Sequence, residues 1–314
     1  MSKRIEGYCY LAAAMLLVGS TVVAARLIGA GLAPFTATAL RFAIALPVFV
    51  VAMAATGARL PALGRRDWAV LAVQAVAGSV GYTVLLIMGT RLTSAADAGV
   101  IIGTLPVVAA TISVVVLGER PGRRLLVAIA LAAAGLAAIA IAGGGQNDGD
   151  ANGGWNRLAG NALILGAVVC EGLFILLNKR IRTAIQPLAL STIMTGFGLI
   201  AAAIPAVFEA RPPILDPAIA AASGTALLAV LYYALVPTVA GFVLWYAGAA
   251  RVTGSEAALF TSLAPVSAVV LAALVLGEPV GPVRLAGIAC VLAAVAGLNL
   301  TPGQVPNWAS CRRR

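Results

Sequence analysis

Histidine is absent from the 314 residues, charged residues make up only 10%, and aromatics only 6%. Without histidine, the most frequent general base and zinc ligand is missing. The four cysteines, Cys9, Cys170, Cys290 and Cys311, show no ligand spacing, and the first three lie in or beside apolar runs. Neither a zinc site nor a disulfide framework is expected, and no cofactor is implied. No Gly-rich loop ending in Gly-Lys-Ser/Thr occurs and no stretch is polar enough for a soluble domain, which excludes ATP hydrolysis by this chain. Soluble domains are about 25% charged. With 61% hydrophobic residues and a mean hydropathy of +1.03, this chain is built for a bilayer. The apolar runs do not alternate at period two, so a β-barrel is excluded.

What the sequence does contain is a series of apolar runs of about 20 residues, each the length of a membrane-crossing helix. Ten are expected: about Gly7 to Leu27, Pro34 to Ala55, Asp67 to Gly89, Ser94 to Glu119, Leu125 to Ala142, Asn156 to Asn178, Pro187 to Phe208, Ala221 to Ala249, Ser255 to Leu276 and Val283 to Leu300. The first imitates a secretory signal, but its counterpart at Gly160 to Ile181 argues that it is retained as a span. Between spans 5 and 6 the composition turns to GGGQNDGDANGGW, a flexible linker. The expected layout is a first five-helix repeat over 1–142, a linker loop over 143–155, a second repeat over 156–301 and a basic tail over 302–314.

The two halves echo each other most clearly in span 4 (SAADAGVIIGTLPVVAATISVVVLGE) and span 9 (TGSEAALFTSLAPVSAVVLAALVLGE). Asp97 and Glu256, Pro106 and Pro265, and Glu119 and Glu278 all pair at one offset of 159 positions. Five spans per half is an odd number, so the second copy threads the membrane in the opposite sense. The fold class is therefore all-α integral membrane, ten transmembrane helices as two inverted five-helix repeats, an arrangement associated with secondary transporters. Of the 21 Lys and Arg, only Arg26, Arg91, Arg157, Arg211 and Arg284 fall in the loop set opposite the N-terminus, and Arg41 falls within a span. The remainder share the side of both termini, which is then cytoplasmic.

With STVVAARL closing span 1 (Ser20 to Leu27), ALRFAIA in span 2 (Ala39 to Ala45) and the two proline-containing Leu-Gly-Glu spans, the chain resembles the drug/metabolite transporter superfamily, specifically its ten-span EamA type. Within that type it is most similar to YddG-like amino-acid exporters. The resemblance implies a plasma-membrane carrier, in bacteria the inner membrane, for small organic solutes such as amino acids.

Ionisable groups inside a membrane are expensive and each is a functional candidate. Glu171 is the deepest acid: a proton-titrating or amine-binding carboxylate, or a structural partner of another helix or of Asn178 or Lys179. Arg41 lies about 10 Å into span 2 by the helical rise. It either attracts a substrate carboxylate or snorkels to the interface, and its nearness to the span end favours the structural role. Asp97 and Glu256 read as helix-start caps in preference to proton carriers; Glu119 and Glu278 read as turn or gate residues near arginines. Pro106, Pro237 and Pro265 each remove a helical hydrogen bond and are hinge candidates. Aligning Arg91 with Arg251 lays Gly81-Tyr82 on Gly241-Phe242. Tyr82, Tyr232, Tyr233 and Phe242 then form a wall suited to an amphipathic or aromatic solute, with Trp245 and Tyr246 nearer an interface belt. Gln74, Ser79 and Thr104 add uncharged polar groups whose alternative role is interhelical hydrogen bonding.

These features favour a carrier working by alternating access over a central cavity lined by spans 1, 3, 4, 6, 8 and 9. An intramembrane enzyme acting on lipids would need His with Asp, paired carboxylates or an interfacial phosphate-binding cluster, and none is visible. The expected partners are a small-molecule substrate and the lipid bilayer, without nucleic acid; monomer and homodimer both remain open.

Overall fold

The computed structural model describes residues 3–117, 122–142, 153–178, 180–183, 185–209, 224–252, 260–261 and 263–299, and among them all regular structure is helical. The first half comprises α1 (Lys3–Gly29), α2 (Pro34–Thr56), α3 (Arg65–Leu92), the pair α4 (Ala95–Ile102) and α5 (Leu105–Leu117), and α6 (Arg123–Ala142). The second comprises α7 (Gly153–Asn178), α8 (Pro187–Glu209), α9 (Gly224–Ala249), α10 (Leu263–Leu276) and α11 (Pro282–Asn299). Six helices, α1, α2, α3, α7, α8 and α9, are each long and apolar enough to cross a bilayer, and α4 with α5, bent by 44°, is long and apolar enough for a seventh when taken as one broken span. Shorter apolar helices, Leu126–Gly135 within α6, α10, and Pro282–Ala294 within α11, stand where the other three expected spans lie. α7 begins at Gly153, slightly before the span expected there. The rest of the linker, Glu119, Lys179, Glu256 and the tail fall outside the described residues.

Burial is arranged for lipid. Large apolar side chains such as Val51, Ile200, Leu228 and Leu274 point outward, whereas Gln74, Asp97 and Thr38 are fully enclosed. Hydrocarbon outside and hydrogen-bonded polar groups inside is the distribution a bilayer requires.

Packing is symmetric under exchange of the two halves. α1 packs on α9 and α10, and its counterpart α7 packs on α3, α4 and α5. α2 packs on its own counterpart α8, and α6 on α11. Small residues make the closest approaches. A Cβ at Gly19 would sit 1.8 Å from Ser267 Oγ and 2.6 Å from the Ala264 carbonyl oxygen of α10, and one at Gly78 would sit 2.3 Å from Phe174 Cβ of α7.

Two departures from α-helical geometry carry the same symmetry. Ala75–Gly81 in α3 and Ala234–Ala240 in α9 are wound as π-helical turns, again 159 positions apart. Pro237 lies inside the second, and Thr238 Oγ1 donates to the Tyr233 carbonyl at 2.8 Å, one of the acceptors that this winding redirects. This register lays Tyr82 on Gly241, one residue away from the alignment through Arg91 and Arg251. Span 4 breaks between α4 and α5 just before Pro106, at the Gly103 position where a Cβ would meet Pro265 Cβ at 2.9 Å. Pro265 of the second half therefore lies against the break that precedes Pro106 in the first.

The repeated Leu-Gly-Glu now has a physical account in its second copy. Gly277 adopts φ 67°, a left-handed conformation that glycine enters at no steric cost, and the Glu278 N–H returns to the Ala272 carbonyl at 3.3 Å to close α10. The turn delivers the Glu278 carboxylate to the start of α4, where it accepts from Ala95 N (2.9 Å) and Ala96 N (2.8 Å). A carboxylate at free N–H groups and a helix-dipole positive end is stabilised twice. Glu278→Ala is expected to lower stability by about 1–2 kcal/mol, measurable as a lower unfolding midpoint in detergent. An unchanged midpoint would contradict this capping role.

Candidate functional site

Arg41 of α2 points into the bundle. Its guanidinium lies over the Tyr233 ring (4.4 Å to the centroid) on one side and the Phe42 ring (4.6 Å) on another. Nη1 donates to Thr83 Oγ1 at 2.7 Å, and that hydroxyl donates onward to the Ser79 carbonyl. Nε is buried without a hydrogen-bond partner. Cation–π contact and the Thr83 hydroxyl hold the guanidinium, and among the described residues no carboxylate forms an ion pair with it.

Glu171 on α7, half-buried, contributes opposite charge to the surroundings of Arg41 without forming an ion pair. Among the described residues Glu171 takes part in no hydrogen bond. Its neighbours on α7 are committed to packing: a Cβ at Gly81 would meet Cys170 Sγ at 3.1 Å, and one at Gly172 would meet Ile112 Cδ1 at 2.9 Å. Tyr82 follows the π-turn of α3 and lies within electrostatic reach of Tyr233, Glu171 and Arg41, with its hydroxyl beside Thr21 of α1. Tyr233 precedes the π-turn of α9. Each π-turn thus borders an aromatic residue of this centre, a location where such turns recur in functional sites.

The expected residues divide into those the fold gathers and those it uses elsewhere. Tyr82, Glu171 and Tyr233 meet around Arg41, with Ser79 contributing a carbonyl through Thr83. Tyr232 donates to Ser20 Oγ at 2.7 Å, tying α9 to α1. Gln74 is fully buried and donates to the Phe174 carbonyl of α7 at 3.1 Å, leaving its Oε1 without a partner. Thr104 closes on the Ile101 carbonyl at the break in span 4. Phe242 turns towards α2, with its ring against Phe49 at 6.4 Å and Tyr246 at 6.0 Å. Pro106 and Pro265 lie in the first turns of α5 and α10, and Pro237 in its π-turn.

Charges at the two ends of the bundle are used differently from the sequence expectation. Asp97 is fully buried and does not cap its own helix; Ser94 does, accepting from Asp97 N at 3.0 Å. The Asp97 carboxylate instead binds Arg157 of α7 and Arg284 of α11, the latter at 2.9 Å. Arg284 also donates to Ser94 Oγ at 3.0 Å. On this same face Arg91 donates to the Gly29 and Leu32 carbonyls, Arg26 to those of Thr90 and Thr93, and Glu209 accepts from Phe35 N and Thr36 N at the start of α2. On the opposite face Asp67 accepts from Thr183 Oγ1 (2.7 Å) and Thr183 N (3.2 Å), and a half-buried Glu6 lies 3.8 Å from Arg251. There a small pocket lined by Asn178, Ile181, Thr183, Ile185 and Leu190 lies apart from the Arg41 centre. On the Asp97 face, hydrogen bonds join the end of α1 and the α10–α11 turn to α3 and α4.

A helical bundle built by duplication, with charged and aromatic groups gathered between the halves, defines a polytopic membrane protein with an internal polar centre. The chain belongs to the EamA-like transporter family, which it matches twice, over residues 5–141 and 158–300. It is 36% identical over 301 residues to the "uncharacterized transporter YetK" of Bacillus subtilis (strain 168), covering 94% of this chain and 87% of that protein. It is 28% identical over 262 residues to a "probable terminal-alkyne amino-acid exporter" of Streptantibioticus cattleyicolor, covering 82% of each. A crystal structure of another protein shares the fold, with a TM-score of 0.61 at 23% identity over 95% of this chain and 99% of that one. The protein is thus a transporter of this family.

Proposed function

We propose that the protein is a secondary carrier that exports small organic metabolites, aromatic or neutral amino acids foremost, across the plasma membrane by alternating access. The observation that carries this reading is the centre itself. A guanidinium with an unpartnered Nε and a carboxylate that forms no hydrogen bond or ion pair share one electrostatic environment with tyrosines, on helices of both halves. Uncompensated charge in a membrane interior is costly, and a ligand that pairs with it relieves the cost. The similarity to a protein named as an amino-acid exporter points the same way.

The basic-residue bias assigns the Asp97 face to the outside and both termini to the cytoplasm. With the ties of α1 and the α10–α11 turn to α3 and α4 found on that outer face, the centre is approached from the cytoplasm, as an exporter loading its substrate requires. Exchange of packing between two symmetric halves supplies the second, outward-facing state. The driving force is a substrate or ion gradient, since the chain carries no nucleotide-binding motif.

Cells loaded with a phenylalanine-containing dipeptide, which raises the internal amino-acid pool, test the direction. Expression of the protein is expected to speed appearance of phenylalanine in the medium. An unchanged rate with the protein present in the membrane would contradict amino-acid export.

A further inference from the structure

We propose that Arg41 and Glu171 are the two poles of a clamp for a zwitterion: Arg41 takes the carboxylate and Glu171 the ammonium of a free α-amino acid. This rests on the amino-acid reading above and specifies which residues set its selectivity.

Arg41 is enclosed, held on two faces by Tyr233 and Phe42, and anchored through one nitrogen to Thr83. The guanidinium is thereby oriented, not free to snorkel, and its Nε is left with a hydrogen to donate. A planar fork held rigidly by stacking is suited to a carboxylate. Glu171 carries the opposite sign on a helix from the other half of the chain, and no hydrogen bond or ion pair among the described residues engages it. The two form no ion pair, yet α7 brings Glu171 to the same place: Cys170 beside it packs on Gly81, two residues from the Thr83 that anchors Arg41. An α-amino acid carries its opposite charges on two substituents of one atom, so one ligand pairs with both poles at once. Tyr82 and Tyr233 flank these poles and supply an apolar, hydrogen-bonding surface for the side chain. A ligand with only one charge leaves the other pole buried and unpaired, so both an amine and a carboxylic acid of the same shape are rejected.

The test uses full-length protein in liposomes and labelled L-phenylalanine in exchange at equal pH on both sides, so that proton coupling does not enter. Unlabelled L-phenylalanine, phenethylamine and 3-phenylpropionate serve as competitors. In the unaltered protein both single-charge analogues are expected to compete at least about tenfold more weakly than phenylalanine. Glu171→Gln is expected to erase the preference for phenylalanine over 3-phenylpropionate while leaving discrimination against phenethylamine in place. Arg41→Gln gives the mirror pattern. Because Arg41 is packed in the core, Glu171→Gln and rescue by Glu171→Asp decide the matter if the arginine variant fails to fold. Unchanged discrimination against 3-phenylpropionate in Glu171→Gln would overturn the clamp while leaving amino-acid transport intact. Absence of phenylalanine exchange in the unaltered protein, with exchange of some other metabolite, would overturn both.

Discussion

Asp97→Asn is expected to destabilise the protein by about 3 kcal/mol or more, because it removes one partner of two enclosed ion pairs and leaves Arg157 and Arg284 uncompensated. The carboxylate is fully buried, so solvent does not screen it, whereas the arginine side chains retain 20% and 12% exposure and recover part of the loss by hydration. The amide of asparagine keeps the shape and one acceptor but not the charge. Thermal unfolding in detergent should show a lower midpoint for Asp97→Asn and partial recovery in Asp97→Glu. The same pairs tie α4 of the first half to α7 and α11 of the second. Loss of the carboxylate should therefore also increase labelling of a cysteine placed at Thr93 by a membrane-impermeant thiol reagent. A variant as stable as the parent, with no gain in labelling, would remove this cluster from the account.

Gly19→Ala carries the second large effect, because α1 and α10 leave no space for even one methyl group. The Ser267 hydroxyl that a Cβ would strike already donates to the Ala264 carbonyl at 2.9 Å and to the Met15 carbonyl at 3.3 Å. Rotating the serine away breaks those bonds, and the Ala264 backbone behind it cannot rotate. A loss of about 1–3 kcal/mol is expected for alanine, and Gly19→Leu should fail to accumulate as folded protein. Gly196→Ala in α8 is the control, since nothing lies within 4 Å of its Cβ position. There alanine should be neutral or stabilising through its helix propensity. Equal behaviour of the two alanine variants in size-exclusion and thermal profiles would contradict the tight α1–α10 seam.

Much of this fold was legible in the sequence because bilayers impose a coarse grammar of apolar length and charge placement. The repeated proline and Leu-Gly-Glu marked the duplication, and Glu171 stood out as the deepest acid. Arg41 does not snorkel to the interface: depth along its own helix says nothing about rotation or partners, and Thr83 and Tyr233 belong to α3 and α9. Asp97 read as a cap since acids favour first turns, yet Ser94 performs that task and frees the carboxylate for arginines far along the chain. The π-turns were invisible because Ala75–Gly81 and Ala234–Ala240 are almost wholly apolar or small, so a change of winding leaves no break in the pattern. Their common offset of 159 positions, the same as the proline pair, was the available signal.

Flux through purified protein tests the central claim most directly. With the full chain in liposomes preloaded with phenylalanine, labelled phenylalanine outside should enter faster than into protein-free vesicles, with a rate that saturates with concentration. Entry no faster than into empty vesicles, for phenylalanine and every other metabolite tried, would contradict a carrier.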